Sequence, residues 1–197
     1  MGRAQELFDQ ATERYDDAIK LLKNLDQLYQ DAANKSDPSR GGYDPKITLA
    51  QFDWILQAIL LSQSLIDGDF HRLEQQFVDK ITDYGDLLTY IKKKTNGDLA
   101  LTWEGIAHLN ADTQRKLVVL LPKLLDETCD SFVGPLALVE AALKDYDFLG
   151  GLVKIIGDIG ANLAQVDGCA DPEEAQFCAV MAKNLLVDRW NKKKREL

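Results

Sequence analysis

The chain has 197 residues, 46% of them hydrophobic and 28% charged, with 32 acidic against 23 basic residues and a formal net charge of −9. That is chain enough to bury its own core, in the proportions of a soluble globular protein. The acidic balance argues against the basic face that a nucleic-acid binder needs and favours solubility or cation binding.

Residues 3–33 read as one long helix. Phe8, Tyr15, Leu22 and Tyr29 recur at one heptad position, and Ala4, Ala11, Ala18, Leu25 and Ala32 at another. Leu7, Leu21 and Leu28 widen this stripe beyond a two-position coiled-coil seam. It serves either docking on the same chain or contact with a second copy or a protein partner. Asn34 to Pro45 is rich in turn formers and reads as a linker, which divides the chain into an N-terminal helix and linker (1–44) and a helical domain (45–197).

A helix from about Thr48 to Ile66 follows, with Phe52, Ile55, Leu56, Ile59, Leu60 and Ile66 on its apolar face. Gly68 stops it, because glycine accepts the left-handed conformation that closes a helix. The next helix starts near Arg72 and carries Leu73, Phe77, Val78 and Ile81 inward. Short helices are expected at Leu87–Lys94 and Leu101–Leu109, then a longer one over Asp112–Asp130 kinked by Pro122. Phe132–Lys144 and Tyr146–Val166 come next, the latter carrying Gly150, Gly151, Gly157 and Gly160, which permit close helix approach. Asp171-Pro172-Glu173-Glu174 reads as cap, first-turn proline and capping-box acid for a last helix reaching about Lys194. Its basic end, Arg189 to Arg195, complements the helix dipole. No stretch alternates with the period of a strand, so the fold class is all-α.

No segment approaches the roughly 18 apolar residues of a membrane span, and the N-terminus lacks the apolar core of a signal peptide. Cys129, Cys169 and Cys178 form no Cys-x-x-Cys pair, and with two histidines they make no zinc-type cluster. They read as buried or half-buried thiols in a reducing cytosol, so the expected localisation is cytoplasmic.

One pattern occurs twice. Residues 55–81 laid over 155–181 without a gap give seven identities: Ile55/Ile155, Ile59/Ile159, Asp67/Asp167, Gly68/Gly168, Glu74/Glu174, Gln76/Gln176 and Phe77/Phe177. Each copy is an apolar helix, Asp-Gly, five residues, Glu, and a second helix. The Gly-to-Glu spacing matches half of an EF-hand loop. The first and third ligand positions fall on Gln63 and Leu65, or Leu163 and Gln165, which excludes that motif.

The two stretches Ile66-Asp67-Gly68-Asp69-Phe70-His71-Arg72-Leu73-Glu74 and Val166-Asp167-Gly168-Cys169-Ala170-Asp171-Pro172-Glu173-Glu174 resemble the TerB-like family of bacterial tellurite-resistance domains. The likeness covers roughly residues 48–190. It departs from the family pattern at His71, which replaces the usual Ser, Thr or Asp cap, and at Cys169 and Ala170, which leave the second loop poorer in oxygen. The resemblance implies a helical pseudo-repeat bundle and a non-enzymatic sensor or scaffold in stress-response assemblies. It also implies a divalent-metal site on Asp67, Glu74, Asp167 and Glu174, and hence Ca²⁺, Mg²⁺ or Mn²⁺ as the bound ion, because hard cations take oxygen ligands. Two readings stand beside it. The four acids serve only as caps of turns and helices in a helical protein-interaction module, or they support a metal-dependent hydrolase.

Overall fold

The buried helix at residues 45–67 is the element against which most others pack, and its sequence explains why. The computed structural model describes residues 2–36, 44–67, 71–143, 146–166, 168 and 172–196. In chain order the helices are α1 (Arg3–Ser36), α2 (Pro45–Asp67), α3 (Arg72–Lys80), α4 (Leu87–Lys94), α5 (Trp103–Ala107) and α6 (Ala111–Leu124). They continue with α7 (Asp126–Ala142), α8 (Phe148–Leu163), α9 (Pro172–Ala182), a π-helical segment (Lys183–Asp188) and α10 (Arg189–Glu196). No strand occurs among the described residues, and the protein is all-α.

α2 touches α1, α3, α4, α6, α7, α8 and α9. The expected apolar face is buried at Phe52, Ile55, Leu56, Ile59 and Leu60, but so are Leu49, Ala58, Leu61 and Leu65 on the remaining sides. The helix is therefore enclosed rather than one-sided, and Ile66 of the expected face is instead 59% exposed. By length and composition Pro45–Ile66 does meet the dimensions of a membrane span, contrary to the sequence expectation, but 83% of that window is buried inside the helical body. Its polar residues find partners within the helix or on its neighbours: Ser62 and Ser64 return their hydroxyls to the carbonyls of Ala58 and Leu60.

α1 docks on the same chain. Leu7, Ala11, Tyr15, Ala18, Ile19, Leu22, Leu25 and Tyr29 are buried, and the helix lies along α8, with further contact to α7, α2 and α3. Its alanines let the backbones approach, while its aromatics reach deeper. Tyr15 stacks on Phe52 of α2 at 6.3 Å between centroids, and Phe52 stacks in turn on Phe132 of α7 at 6.2 Å. Phe8 meets Phe77 of α3 edge to face at 5.9 Å. Arg14 Nε reaches Asp158 of α8 at 3.4 Å, a half-exposed pair of small energetic weight.

α8 and α9 pack closely because α8 has glycine where they touch. A Cβ on Gly160 would fall 2.5 Å from the Cβ and Sγ of Cys178, and one on Gly157 would fall 2.8 Å from the Cβ of Ala179. The glycines expected to permit close approach do so at these two positions, and α8 runs through them unbroken.

Helix ends shift by a few residues from the sequence reading at several places, and two departures are larger. The chain breaks at Leu125, between α6 and α7, rather than near residue 131. Pro122 removes a donor and crowds the preceding turn, so the helix ends soon after it, while Pro135 is accommodated inside α7. The last helix widens into the π-helical turn over Lys183–Asp188 before α10. The guanidinium of Arg189, next in sequence, donates to the Asp126 carbonyl at 2.6 Å and to Asp130 Oδ1 at 2.9 Å, and also pairs with the Asp126 carboxylate.

Leu22 is 1% exposed at the centre of the α1 stripe. Leu22→Asp is expected to lower stability by at least about 3 kcal/mol, from lost apolar burial and the desolvation of a carboxylate. Chemical denaturation measures it, and an unchanged midpoint would mean that α1 is not held to the body.

Candidate functional site

The helix that follows the first Asp-Gly pair starts with a capping box. His71 is the N-cap of α3: its Nδ1 accepts the Leu73 N–H at 3.2 Å, and its own N–H donates to Glu74 Oε2 at 2.9 Å. Histidine thus does the work of the expected Ser, Thr or Asp, and Glu74, 6% exposed, closes the box from the third helical position. Asp67 is the last residue of α2, but its side chain lies outside the described residues, as do Asp167 and the side chain of Glu174. Gly168, in the second copy, has φ +86°, a left-handed conformation that glycine adopts at no steric cost. The turns are not identical, since α2 is helical through Asp67 whereas α8 ends at Leu163. Among the described residues no three His, Cys, Asp or Glu side chains are grouped to hold a metal ion.

What does bring the two hairpins together is a buried polar seam just ahead of these turns. Gln63 Nε2 donates to the Gly160 carbonyl at 3.3 Å, and the Cys178 thiol donates to Gln63 Oε1 at 2.9 Å. The C-terminal half of α2, α8 and α9 are joined at this point.

A second candidate lies on the other side of α2, where the chain leaves α3 and enters α4. Two side chains of α2, one turn apart, organise the connection. Asp53 Oδ1 accepts from the Tyr15 hydroxyl at 2.9 Å, and Asp53 Oδ2 accepts the N–H groups of Tyr84 and Gly85 at 3.0 and 3.1 Å. Gln57 donates to the carbonyls of Ile81 and Gly85 at 2.9 and 2.7 Å and accepts the Leu87 N–H at 2.9 Å. Gly85 has to be glycine, because a Cβ there would sit 2.6 Å from Trp54 Nε1 and 2.7 Å from the Ala50 carbonyl oxygen. The connection then starts α4 through Asp86, whose carboxylate accepts the N–H groups of Leu88 and Thr89 and the Thr89 hydroxyl.

The result is a groove of about 620 Å³ lined by Trp54, Tyr84, Gly85, Asp86, Thr89, Tyr90, Lys93 and Lys94. Trp54 and Tyr90 stack at 4.4 Å with 28° between planes. Tyr90 is fixed from behind by its hydroxyl, which donates to the Leu124 carbonyl at 3.1 Å and lies 2.8 Å from Thr128 Oγ1. Trp54 Nε1 is buried without an acceptor, a cost of about 1–3 kcal/mol set against the stacking of its ring. Sequence reading missed this site. Its legible signal was a polar pair, Asp53 and Gln57, at helical spacing inside an otherwise apolar helix.

No family model, no curated protein and no solved structure matches this chain. The TerB-like resemblance stands on the two Asp-Gly motifs alone.

Burial pushes the Asp53 carboxyl up to about 7, against the opposing hydrogen bonds from Tyr15, Tyr84 and Gly85, with nearby Asp83 adding to the rise. The same burial, with Asp53 beside it, pushes the Tyr15 hydroxyl far above its ordinary value. A carboxyl raised on folding holds its proton in the folded state where the unfolded chain has lost it, so stability falls as pH rises from about 4 to about 7. Asp53→Asn can keep the contacts, with the amide oxygen toward Tyr84 and Gly85 and the amide N–H toward the Tyr15 oxygen. The stability of this variant relative to wild type is expected to climb between pH 5 and 7, by up to about 1.4 kcal/mol per pH unit, and level off above. Thermal melts across that range measure it, and a flat difference would mean that Asp53 does not titrate there.

Proposed function

We propose that this chain is a non-enzymatic, TerB-like helical binding module whose contact surface is the groove between α2 and α4. The observation that carries this reading is the rigid aromatic floor. Trp54 and Tyr90 are stacked, Tyr90 is held at its hydroxyl, and Tyr84 is anchored through its backbone to Asp53. A preorganised aromatic surface gives contact area at little entropic cost on binding. The groups that could serve chemistry are engaged in structure: Asp86 caps α4, and Thr89 returns its hydroxyl to Asp86. In this reading the first Asp-Gly turn is structural, since Glu74 closes a capping box. The setting is the cytosol, in keeping with Cys129 and Cys178 as buried free thiols, the former pushed up to about 12 by burial.

The test is a screen of small aromatic fragments by amide and indole correlation spectra of the full chain. Hits are expected to shift Trp54, Tyr84 to Asp86 and Thr89 to Lys94. Hits scattered evenly over the surface would defeat the reading.

A second reading keeps a divalent cation at the Asp-Gly turns, as a sensor or scaffold element. It is favoured by the Gln63–Gly160–Cys178 seam, which ties the hairpins together four residues before Asp67 and seven before Asp167. Chelator-stripped protein is then expected to gain about 5–10 °C in melting temperature at a hundredfold excess of Ca²⁺, Mg²⁺ or Mn²⁺ over Kd. The gain should be lost in Glu174→Gln. If none of the three ions moves the melting temperature, the carboxylates of both turns are caps.

A further inference from the structure

The groove is aromatic along its floor and unequal at its two ends. The residues that α4 contributes, from Asp86 to Lys94, share one helical face. Asp86 lies at the N-terminal end, and Lys93 and Lys94 lie at the other end, roughly 10 Å along the axis. At the negative end the Asp86 carboxylate is held in place by two backbone N–H groups and one hydroxyl while keeping its charge. At the positive end Lys94 reaches Glu127 at 2.7 Å, but Glu127 is itself 85% exposed, and the Lys94 ammonium remains at the groove, 5.8 Å from the Tyr90 ring centroid. Lys93 is exposed on the groove wall. A third ammonium, Lys23 of α1, stands 5.4 Å from the ring centroid of Tyr84. Tyr84 itself is 37% exposed. In a chain of net charge −9, Lys93 and Lys94 gather two ammonium groups at one end of the groove, with Asp86 at the other end and Glu127 against Lys94, and this polarity selects among ligands by charge.

Building on the reading of the groove as a binding surface, we propose that it takes a planar aromatic anion, the ring lying on Trp54 and Tyr84 and the oxyanion at Lys93 and Lys94. Ring and charge have separate recognition elements on one rigid face. A neutral aromatic would gain only the first, and an aromatic cation would meet lysines where the anion meets partners. A simple anion would gain only exposed ion pairs, which are weak and screened by salt.

Three probes of matched shape separate the contributions: naphthalene-2-carboxylate, naphthalene-2-carboxamide and naphthalen-2-ylmethylammonium. Each is titrated into the full chain while the Trp54 indole N–H and the Gly85 and Thr89 amides are followed. The carboxylate is expected to saturate these signals with up to about fivefold higher affinity than the carboxamide, the scale of one exposed ion pair, and the ammonium is expected to bind most weakly. Lys93→Glu should reduce the carboxylate to the level of the carboxamide or below it. Preserved spectral dispersion of that variant shows it to be folded. Equal affinity for all three probes would overturn the anion assignment while leaving the groove a binding surface. A carboxylate preference that survives Lys93→Glu unchanged would overturn the placement of the charge. The absence of saturable shifts at these signals with every probe at millimolar concentration would overturn both the assignment and the binding reading beneath it.

Discussion

Five backbone groups between Ile81 and Leu87 find their partners on two side chains of α2, Asp53 and Gln57. A segment without regular structure has to satisfy its buried N–H and C=O groups individually, and here the central helix supplies the acceptors and donors. That places a carboxyl and an amide, both fully buried, in the most apolar part of the molecule. Each is tolerated because it makes three hydrogen bonds. The same two residues fix the direction in which α4 departs and hold Gly85 over the indole of Trp54. Tyr15, bonded to the far oxygen of Asp53, ties α1 into the arrangement. Helix docking, turn geometry and the groove wall therefore share one polar cluster.

The parts of this fold that were legible in the sequence are those with a local cause. α4 spans Leu87–Lys94 as read, because Asp86 is a strong cap and Thr95-Asn96-Gly97 a strong stop, Asn96 and Gly97 both having positive φ. The α1 stripe was legible because its heptad spacing survives 34 residues, and Gly157 and Gly160 announced a close helix contact. What was not legible depends on tertiary partners. Periodicity marks apolar positions and cannot reveal that α2 is enclosed on all sides, since its remaining faces carry Asp53, Gln57, Ser62, Gln63 and Ser64. Those residues look solvent-facing until Tyr15, Gly85 or Cys178 is brought against them. The break at Leu125 was misplaced because Pro122 and Pro135 look equivalent in sequence, yet one falls in a last turn and the other is carried inside a helix.

The repeated Asp-Gly pattern shows how a motif can be legible without its role being so. The first copy resolves into a capping box with histidine as the cap, an arrangement that the residue types allow but do not single out. The glutamate that a metal-site reading needs is the same glutamate that the helix start uses, and one side chain at a helix N-terminus answers both descriptions. The groove announced itself even less, for its aromatics come from two separated stretches, Trp54 on α2 and Tyr84 with Tyr90 beyond α3, brought together by the Asp53 and Gln57 contacts and by the anchoring of Tyr90 at Leu124 and Thr128.

The pairing of α1 with α8 also sets an order of events on the ribosome. α1 can meet α2 and α3 soon after it is made, but α8, along which it lies, is encoded roughly 140 residues later. At about 5–20 residues per second, that leaves the α8-facing side of α1 uncovered for about 7–30 s during synthesis. Throughout that interval a 34-residue amphipathic helix, with Leu22 and Leu25 at its centre, is a substrate for chaperones that shield nascent chains. The long helix α1 thus completes its packing only after α8, the helix it lies along, has been made.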